Sequence, residues 1–433
     1  MDTTPFHLIL FALDVVILGG LFFWIRSRRN TGSARSNVYH FEKSLYVPVV
    51  VRRPSLVWDL SGIMLFGGFG FACFAVLCRF ISTGFAQRHI YHFNVGQCIV
   101  EGIAIHGTLF LMVTTGLLYW NRRHCLAVFS GCCALFLATF SFNLLYWEPY
   151  QLRVERYVIR TSKLTKPLKI VFVADIQTDR IGFHEINTLK KIQQQKADLI
   201  ILGGDYIQTF AGTLEEHLPE KFRQLFLDYP LEAPLGVYAI AGNVTGHAGV
   251  RDAELFRETS VTFVGRTTVM LNLGADEGWN PSIDLVLLGV AHSCTGVVGF
   301  SSRRFDEHSL MESDHFIIMA GHCPNYAVDG YTDSETGNSW SGYRNVERAP
   351  DLMLAGHSHG GQIVIPFYGP IPKPWDKHLQ QVPRTMWSGF FAYPNGGHLL
   401  VTRGSGMERG WAPRIRFFCP AEISVIDIIP ESP

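Results

Sequence analysis

Hydrophobic and polar positions divide the chain near residue 150. Before it lie long apolar runs without helical period. Segment 6–25 is apolar apart from His7 and Asp14, and 60–78 carries no charge in 19 residues. Segment 102–121 carries none, with His106 and Tyr119 its titratable breaks, and 125–147 carries none in 23 residues. Each run is close to the roughly 20 residues that cross a bilayer as a helix. Trp24, Trp58, Trp120 and Trp147 stand at their ends, as in interfacial aromatic belts. The pattern predicts an all-α transmembrane bundle of four helices over 1–150, hence a multi-pass integral membrane protein. Core helices of a soluble protein would show an amphipathic period.

Arg26, Arg28 and Arg29 follow the first run, with no small-residue cleavage site, which reads as an anchor and not a removed signal peptide. Lys and Arg divide nine against eight between the two sides, so they do not orient the bundle. Asp14 within a span is a functional candidate, or the structural partner of a residue such as His106 on another span.

After residue 167 the pattern changes to short apolar runs at 169–174, 198–202, 236–241, 316–320 and 352–354. Helix-like segments at 185–196, 215–229 and 253–259 lie between the earlier runs. That alternation predicts an α/β domain over 168–430, a layered β-sandwich flanked by helices with a largely parallel sheet. Segment 151–167 reads as a juxtamembrane connector. The cations from Arg153 to Lys169 could pair with lipid head groups there.

Each apolar run ends in polar residues that can bind a metal. They are Asp175-Ile176-Gln177, Gly204-Asp205, Gly242-Asn243, Gly321-His322 and Gly356-His357-Ser358-His359-Gly360-Gly361-Gln362. Ligand crevices of such sheets lie beyond the carboxyl ends of the strands. Asp175, Asp205, Asn243, His322, His357 and His359 should therefore converge on one edge. Two histidines one residue apart on an extended backbone point to opposite sides, so each can serve a different cation of a two-metal hydrolytic site. By itself His-x-His is as consistent with a solvated turn.

The order of these blocks resembles the calcineurin-like metallophosphoesterase superfamily over residues 167–430. The ending Gly356–Gln362, with Pro366-Phe367-Tyr368-Gly369-Pro370 and Thr402-Arg403-Gly404-Ser405-Gly406, looks more like one branch. That branch contains membrane-anchored phosphoesterases and UDP-diacylglucosamine pyrophosphohydrolases. The resemblance implies two divalent cations of the Mn, Fe or Zn kind and hydrolysis of a phosphodiester or pyrophosphate, here of a lipid-linked or nucleotide-lipid substrate. Asp175, His359 and the residue at 177 would hold the first metal. Asp205 would bridge, and Asn243, His322 and His357 would hold the second. A hydroxide bridging the cations would attack phosphorus.

Two positions depart from the family pattern. Gln177 stands where the family has histidine; its neutral oxygen is a weaker ligand for such metals, so the first site would be weak or empty. Val244 stands where a histidine assists the leaving group, and valine donates no proton. General acid help is worth roughly 100- to 10,000-fold. His247 and Arg403 are the candidates to replace it. Two readings follow: a working hydrolase with an altered site, or an attenuated or inactive fold serving as a binding or scaffolding module.

The net charge is zero, so nothing implies a nucleic-acid or strongly anionic partner. The expected partners are membrane lipids and a phosphate-containing substrate. Of nine cysteines, Cys294, Cys323 and Cys419 fall outside the apolar third. They read as small core residues and Cys323 as a free buried thiol. The polar segment 329–347 reads as a surface loop.

Overall fold

The computed structural model describes residues 10–23, 67, 70, 99–208, 217–244, 252–265, 268–273, 283–289, 293–294, 314–328, 331–332, 339–340, 349–373, 376, 378–408 and 413–431. The chain forms two compact units, Met1–Phe142 and Asn143–Pro433.

In the first unit the apolar runs are helical. Helix α1 is Leu10–Phe23 and α2 is Ile99–Trp120, a 22-residue element with a π-helical turn at Ile103–Gly107. Helix α3 is His124–Phe142 and continues through Asn143–Trp147 and Glu148–Tyr150, 27 residues in all. The α2 and 27-residue elements are long and apolar enough to cross a membrane. The expected span 60–78 lies outside the described residues except for Gly67 and Gly70. Asp14 and His106 are hydrogen-bonded, which satisfies two polar groups among apolar helices.

The second unit is a sandwich of two six-stranded mixed sheets. Its strands are β1 Leu152–Thr161, β2 Leu168–Val173, β3 Leu199–Leu202, β4 Val237–Ala239, β5 Thr262–Phe263, β6 Val269–Leu273, β7 Ile283–Leu287 and β8 Phe316–Ala320. They continue as β9 Tyr331–Thr332, β10 Ser339–Trp340, β11 Leu352–Ala355, β12 Val364–Ile365, β13 Gly369–Pro370, β14 Gly389–Ala392, β15 His398–Val401 and β16 Ala421–Pro430. One sheet has the order β1-β16-β2-β3-β4-β5, the other β14-β15-β11-β8-β7-β6. The runs β2-β3-β4-β5 and β15-β11-β8-β7 and the pair β1-β16 are parallel; antiparallel pairs join β16 to β2, β14 to β15 and β6 to β7.

The expectation of a largely parallel sheet thus holds, with β16-β2 the antiparallel pair of the first sheet and β14-β15 and β6-β7 those of the second. The connector expected at 151–167 differs. Ten of its residues, Leu152–Thr161, are β1, paired in parallel with β16 from Leu152↔Ala421 to Thr161↔Pro430. Cations on the exposed positions hid an edge strand. Within the polar segment 329–347, β9 and β10 pair antiparallel.

Strand period explains the layers. Ile170 and Phe172 of β2 pack with Leu199, Ile201, Phe316, Ile318 and Leu354 between the sheets. Val171 and Val173 face the other way, onto Leu189, Ile192, Phe222 and Phe226. Those belong to helices α4 Phe183–Gln194 and α5 Leu218–Asp228; α6, Asp252–Leu255, adds Leu255. Expected helix 253–259 shrinks to this single turn. Strands buried on both faces read as unbroken apolar runs, which is why these strands were visible in the sequence.

Candidate metal centre

The five polar blocks sit where the parallel strands end: Asp175 after β2, Asp205 after β3, Asn243 after β4, His322 after β8 and His357 after β11. The two halves of the sandwich each deliver ligands to one edge. His322 Nε2 lies 2.9 Å from Asn243 Oδ1 and 3.1 Å from Asp205 Oδ2. Donor atoms of Asp175, Asp205 and His322 all lie within 4.8 Å of one another. The His322 and His357 rings are 5.2 Å apart. Asp175, Asp205, His322 and His357 are buried and Asn243 is half-buried.

The backbone here is forced. Asp175 (φ 55°), Gln177 (37°), Asp205 (53°), His357 (67°) and His359 (51°) are all left-handed without being glycine. Such conformations cost about 1–3 kcal/mol each and persist where surroundings over-determine them. Here the hydrogen bonds do so. Asp175 N–H donates to the Gly204 carbonyl at 3.0 Å and Gln177 N–H to that of Asp205 at 2.9 Å. Gly406 N–H donates to the Asp175 carbonyl at 2.7 Å. Buried Arg416 donates to the carbonyls of Arg403 and Gly404 at 2.8 and 3.3 Å, pinning the turn beneath Asp175. Gly242 permits close approach: a Cβ there would stand 2.1 Å from Asp205 N and Oδ1.

The electrostatics are those of a cluster able to hold a cation. Burial pushes the Asp175 carboxyl up to about 7, and the Asp205 charge adds to this. Burial also opposes ionisation of Asp205, but His322 overcomes it and holds that carboxyl below its usual range. Burial would depress His322, yet Asp205 raises it to about 9. Nδ1 of His322 is 2.8 Å from the Gly203 carbonyl, to which an N–H must donate. That fixes the tautomer and turns Nε2 toward Asp205 and Asn243, the second-ligand geometry of metal histidines. Burial drives His359 well below its ordinary value, with Lys373 and Arg416 adding to it, so its ring is neutral and fit to ligate. Nδ1 of His359 and Oε1 of Gln177 are buried with no hydrogen-bond partner. Unpaired buried polar atoms are costly, and coordination to a divalent cation is one way such an atom is satisfied. The residues therefore fit the metals the blocks imply. Gln177 Nε2 donates to Asp205 Oδ2 at 3.2 Å, which leaves Oε1 as its ligand atom.

Val244 N–H donates to Asp205 Oδ1 at 2.8 Å; its backbone holds the bridging carboxylate while its side chain offers no acid. Of the two expected replacements, His247 lies outside the described residues. Arg403 is placed elsewhere: its guanidinium is 2.6 Å from Glu155 Oε1 and 2.9 Å from Glu422 Oε2, on β1 and β16. Two carboxylates hold it in the sheet, which corrects the role expected of it.

Several partners were not visible in the sequence. Asp376 Oδ1 is 3.4 Å from His357 Nε2, and His378 packs edge-on to the same ring at 5.6 Å. His357, Lys373 and His378 between them hold the Asp376 carboxyl low against the effect of burial. No motif marks these residues; they come from a loop twenty positions after the histidine pair. Cys323 is not free: it forms a disulfide with Cys294. Its sulfur lies near His322 and His357, but a bonded sulfur is no ligand, which leaves the Asp175, Asp205 and His322 group as the candidate metal site.

Residues 168–361 match the calcineurin-like phosphoesterase family. This part of the chain is similar to calcineurin-like phosphoesterases. Bacillus subtilis "uncharacterized metallophosphoesterase YkuE" is 28% identical over 65% of this chain and 87% of its own length. An "uncharacterized metallophosphoesterase" of Aquifex aeolicus is 22% identical over 68% of this chain and 98% of its own. "Phosphodiesterase YaeI" of Escherichia coli is 26% identical over 66% and 91%. Family and relatives indicate a phosphoester hydrolase acting on a phosphate-containing substrate.

Proposed function

We propose that this metallophosphoesterase is tethered to a membrane and uses two divalent cations to hydrolyse a phosphodiester or pyrophosphate bond of a lipid-linked or nucleotide-lipid substrate. The observation that carries the metal reading is the buried cluster of Asp175, Asp205 and His322, whose donor atoms all lie within 4.8 Å of one another. Asp175, Gln177 and His359 would hold one cation, Asn243, His322 and His357 the other, and Asp205 both. When bound, the cations supply Lewis acidity toward phosphate and lower the pKa of water. The chain's part is positional. His322 is fixed by Gly203, His357 by Asp376, and Asp205 by the Val244 N–H. Without an acid at 244, product alkoxide must leave unaided or take its proton from solvent, so activated leaving groups would be favoured.

The tether rests on the two long apolar helices and the aromatic residues at their ends. The head-group cations and the unlike branch features of the 356–370 segment support the lipid-linked substrate. Gln177 and Val244 favour a second reading, in which turnover is attenuated and binding is the retained role. Purified full-length protein in nanodiscs, loaded with Mn²⁺, decides between them. Hydrolysis of a nitrophenyl phosphodiester and of a lipid pyrophosphate is expected, abolished by Asp205→Ala. Metal binding without hydrolysis of either substrate would leave the binding reading alone.

A further inference from the structure

The second unit carries a cluster of exposed apolar side chains beside the point where the last apolar helix ends. The β12–β13 hairpin presents Ile365 (41% exposed), Phe367 (111%) and Tyr368 (55%) at its tip. A solvated hairpin tip is ordinarily built of Gly, Asn, Asp or Ser. Phe367 moreover holds a left-handed φ of 68°, a strained conformation that keeps its ring out of the domain.

The hairpin base is tied to the helix end by backbone. Val364 N–H donates to the Phe417 carbonyl at 2.9 Å, and Phe417 N–H to the Gln362 carbonyl at 2.9 Å. Next along, Arg416 N–H donates to the Leu144 carbonyl at 3.4 Å. Cys419 N–H donates to Glu148 Oε1 at 2.6 Å. Phe418 is 62% exposed between these ties, and Tyr146 and Trp147 are 64% and 57% exposed on the helix end itself. Exposed apolar groups of this density mark an interaction surface. The occupant follows from continuity: Leu144 and Glu148 end the same 27-residue apolar element that is long enough to span a bilayer. Arg384 stacks over the Tyr368 ring at 4.8 Å, putting a cation next to the wedge at head-group level.

We infer that Ile365, Phe367, Tyr368 and Phe418 insert into the lipid–water interface and dock the hydrolase domain onto the bilayer that its last helix crosses. The inference rests on the tethered reading above. It deepens that reading because the hairpin follows metal ligand His359 by only a short turn, and Cys419 Sγ donates to the His359 carbonyl at 3.3 Å. A docked hairpin faces the metal centre toward phosphates at the head-group layer.

The test is fluorine NMR on the full-length chain in nanodiscs of phosphatidylethanolamine with a minority of phosphatidylglycerol. Trifluoromethyl-phenylalanine replaces Phe367, Phe418 or, as a reference on α3, Phe136. Lipid bearing a doxyl label near the glycerol should erase the signals at 367 and 418, and a soluble gadolinium chelate should leave them sharp. If the chelate erases 367 and the doxyl lipid does not, while position 136 responds to lipid, the docking is wrong and the tether stands. Protection of 367 from both agents would mean that protein covers the hairpin, which also overturns the proposal. If doxyl lipid reaches neither 136 nor 367, the tether fails and the docking with it.

Discussion

His322 Nε2 stands 3.1 Å from Asp205 Oδ2, a pair fully buried and drawn from opposite sheets of the sandwich. The proton they share occupies the point where Asp205, Asn243 and His322 converge. A cation arriving there displaces it, so metal binding and protonation compete.

The competition has a definite sign. His322 has its value raised from 6.5 to about 9, so its contribution to metal-free stability is full below 6.5 and lost as pH rises through about 9. Asp175 is an acid raised from 3.8 to about 7, so the unfolded chain ionises first and stability falls over that range. Through these two groups metal-free protein should therefore melt at progressively lower temperature as pH climbs from 3.8 to about 9, Asp175 acting below about 7 and His322 above 6.5. Mn²⁺ affinity should rise over the same window, by up to about tenfold per pH unit for each proton released. Thermal melts with chelator, and titration calorimetry in buffers of different ionisation enthalpy, measure both. A flat affinity would refute the shared-proton geometry.

Asp376 should act through His357 alone. Its Oδ1 faces Nε2 at 3.4 Å while also accepting the N–H groups of His378 and Leu379 at 3.1 and 3.3 Å. Partners of this kind fix the ligand ring, and their loss costs about 10–100-fold in metal affinity. Asp376→Asn keeps the size and removes the charge. It should weaken binding of one equivalent of Mn²⁺ within that range and leave the other unchanged. An equal loss at both equivalents would point to general loosening of the loop instead.

Gly242→Ala tests whether the crowding is real. A Cβ there meets Asp205 N and Oδ1 at 2.1 Å, and backbone cannot give way. At Gly396, with φ 86°, nothing lies within 4 Å. Gly396→Ala should cost about 1 kcal/mol from backbone strain alone. Gly242→Ala should cost at least about 3 kcal/mol from overpacking and should abolish metal binding. Denaturant melts of the two variants compare them directly.

The clustering of the candidate ligands was legible because each ends an apolar run, and strands buried on both faces leave such runs in sequence. His322 and Asp205 could be paired before any geometry was known. What the sequence hid was of two kinds. Residues acting from loops, such as Asp376 and Arg416, lie far along the chain from the groups they hold and carry no periodic mark. Residues with two plausible partners were misassigned: Arg403 has a guanidinium that suits phosphate or carboxylate, and Glu155 and Glu422 claim it. The edge strand β1 was hidden for a related reason, since its outward cations imitate a polar linker. Cys323 lacked any signal that Cys294 stood opposite, because 29 residues separate them.

The two departures from the family pattern offer the sharpest test of the chemistry. Gln177 already points Oε1 into the buried site without a hydrogen-bond partner, so histidine at that position replaces a neutral oxygen with a stronger nitrogen ligand. Gln177→His should tighten the weaker Mn²⁺ equivalent, read by calorimetry or by electron paramagnetic resonance of coupled ions. Val244 anchors Asp205 through its backbone N–H at 2.8 Å, which a side-chain change preserves. Val244→His should therefore add an acid without disturbing the bridge. It should raise kcat for alkyl leaving groups by roughly 100-fold or more and leave nitrophenyl leaving groups, which need no proton, nearly unchanged. A gain confined to alkyl substrates would locate the deficit at the leaving group. Equal rates for both substrates in wild type, with no response to Val244→His, would mean that another residue already supplies the proton.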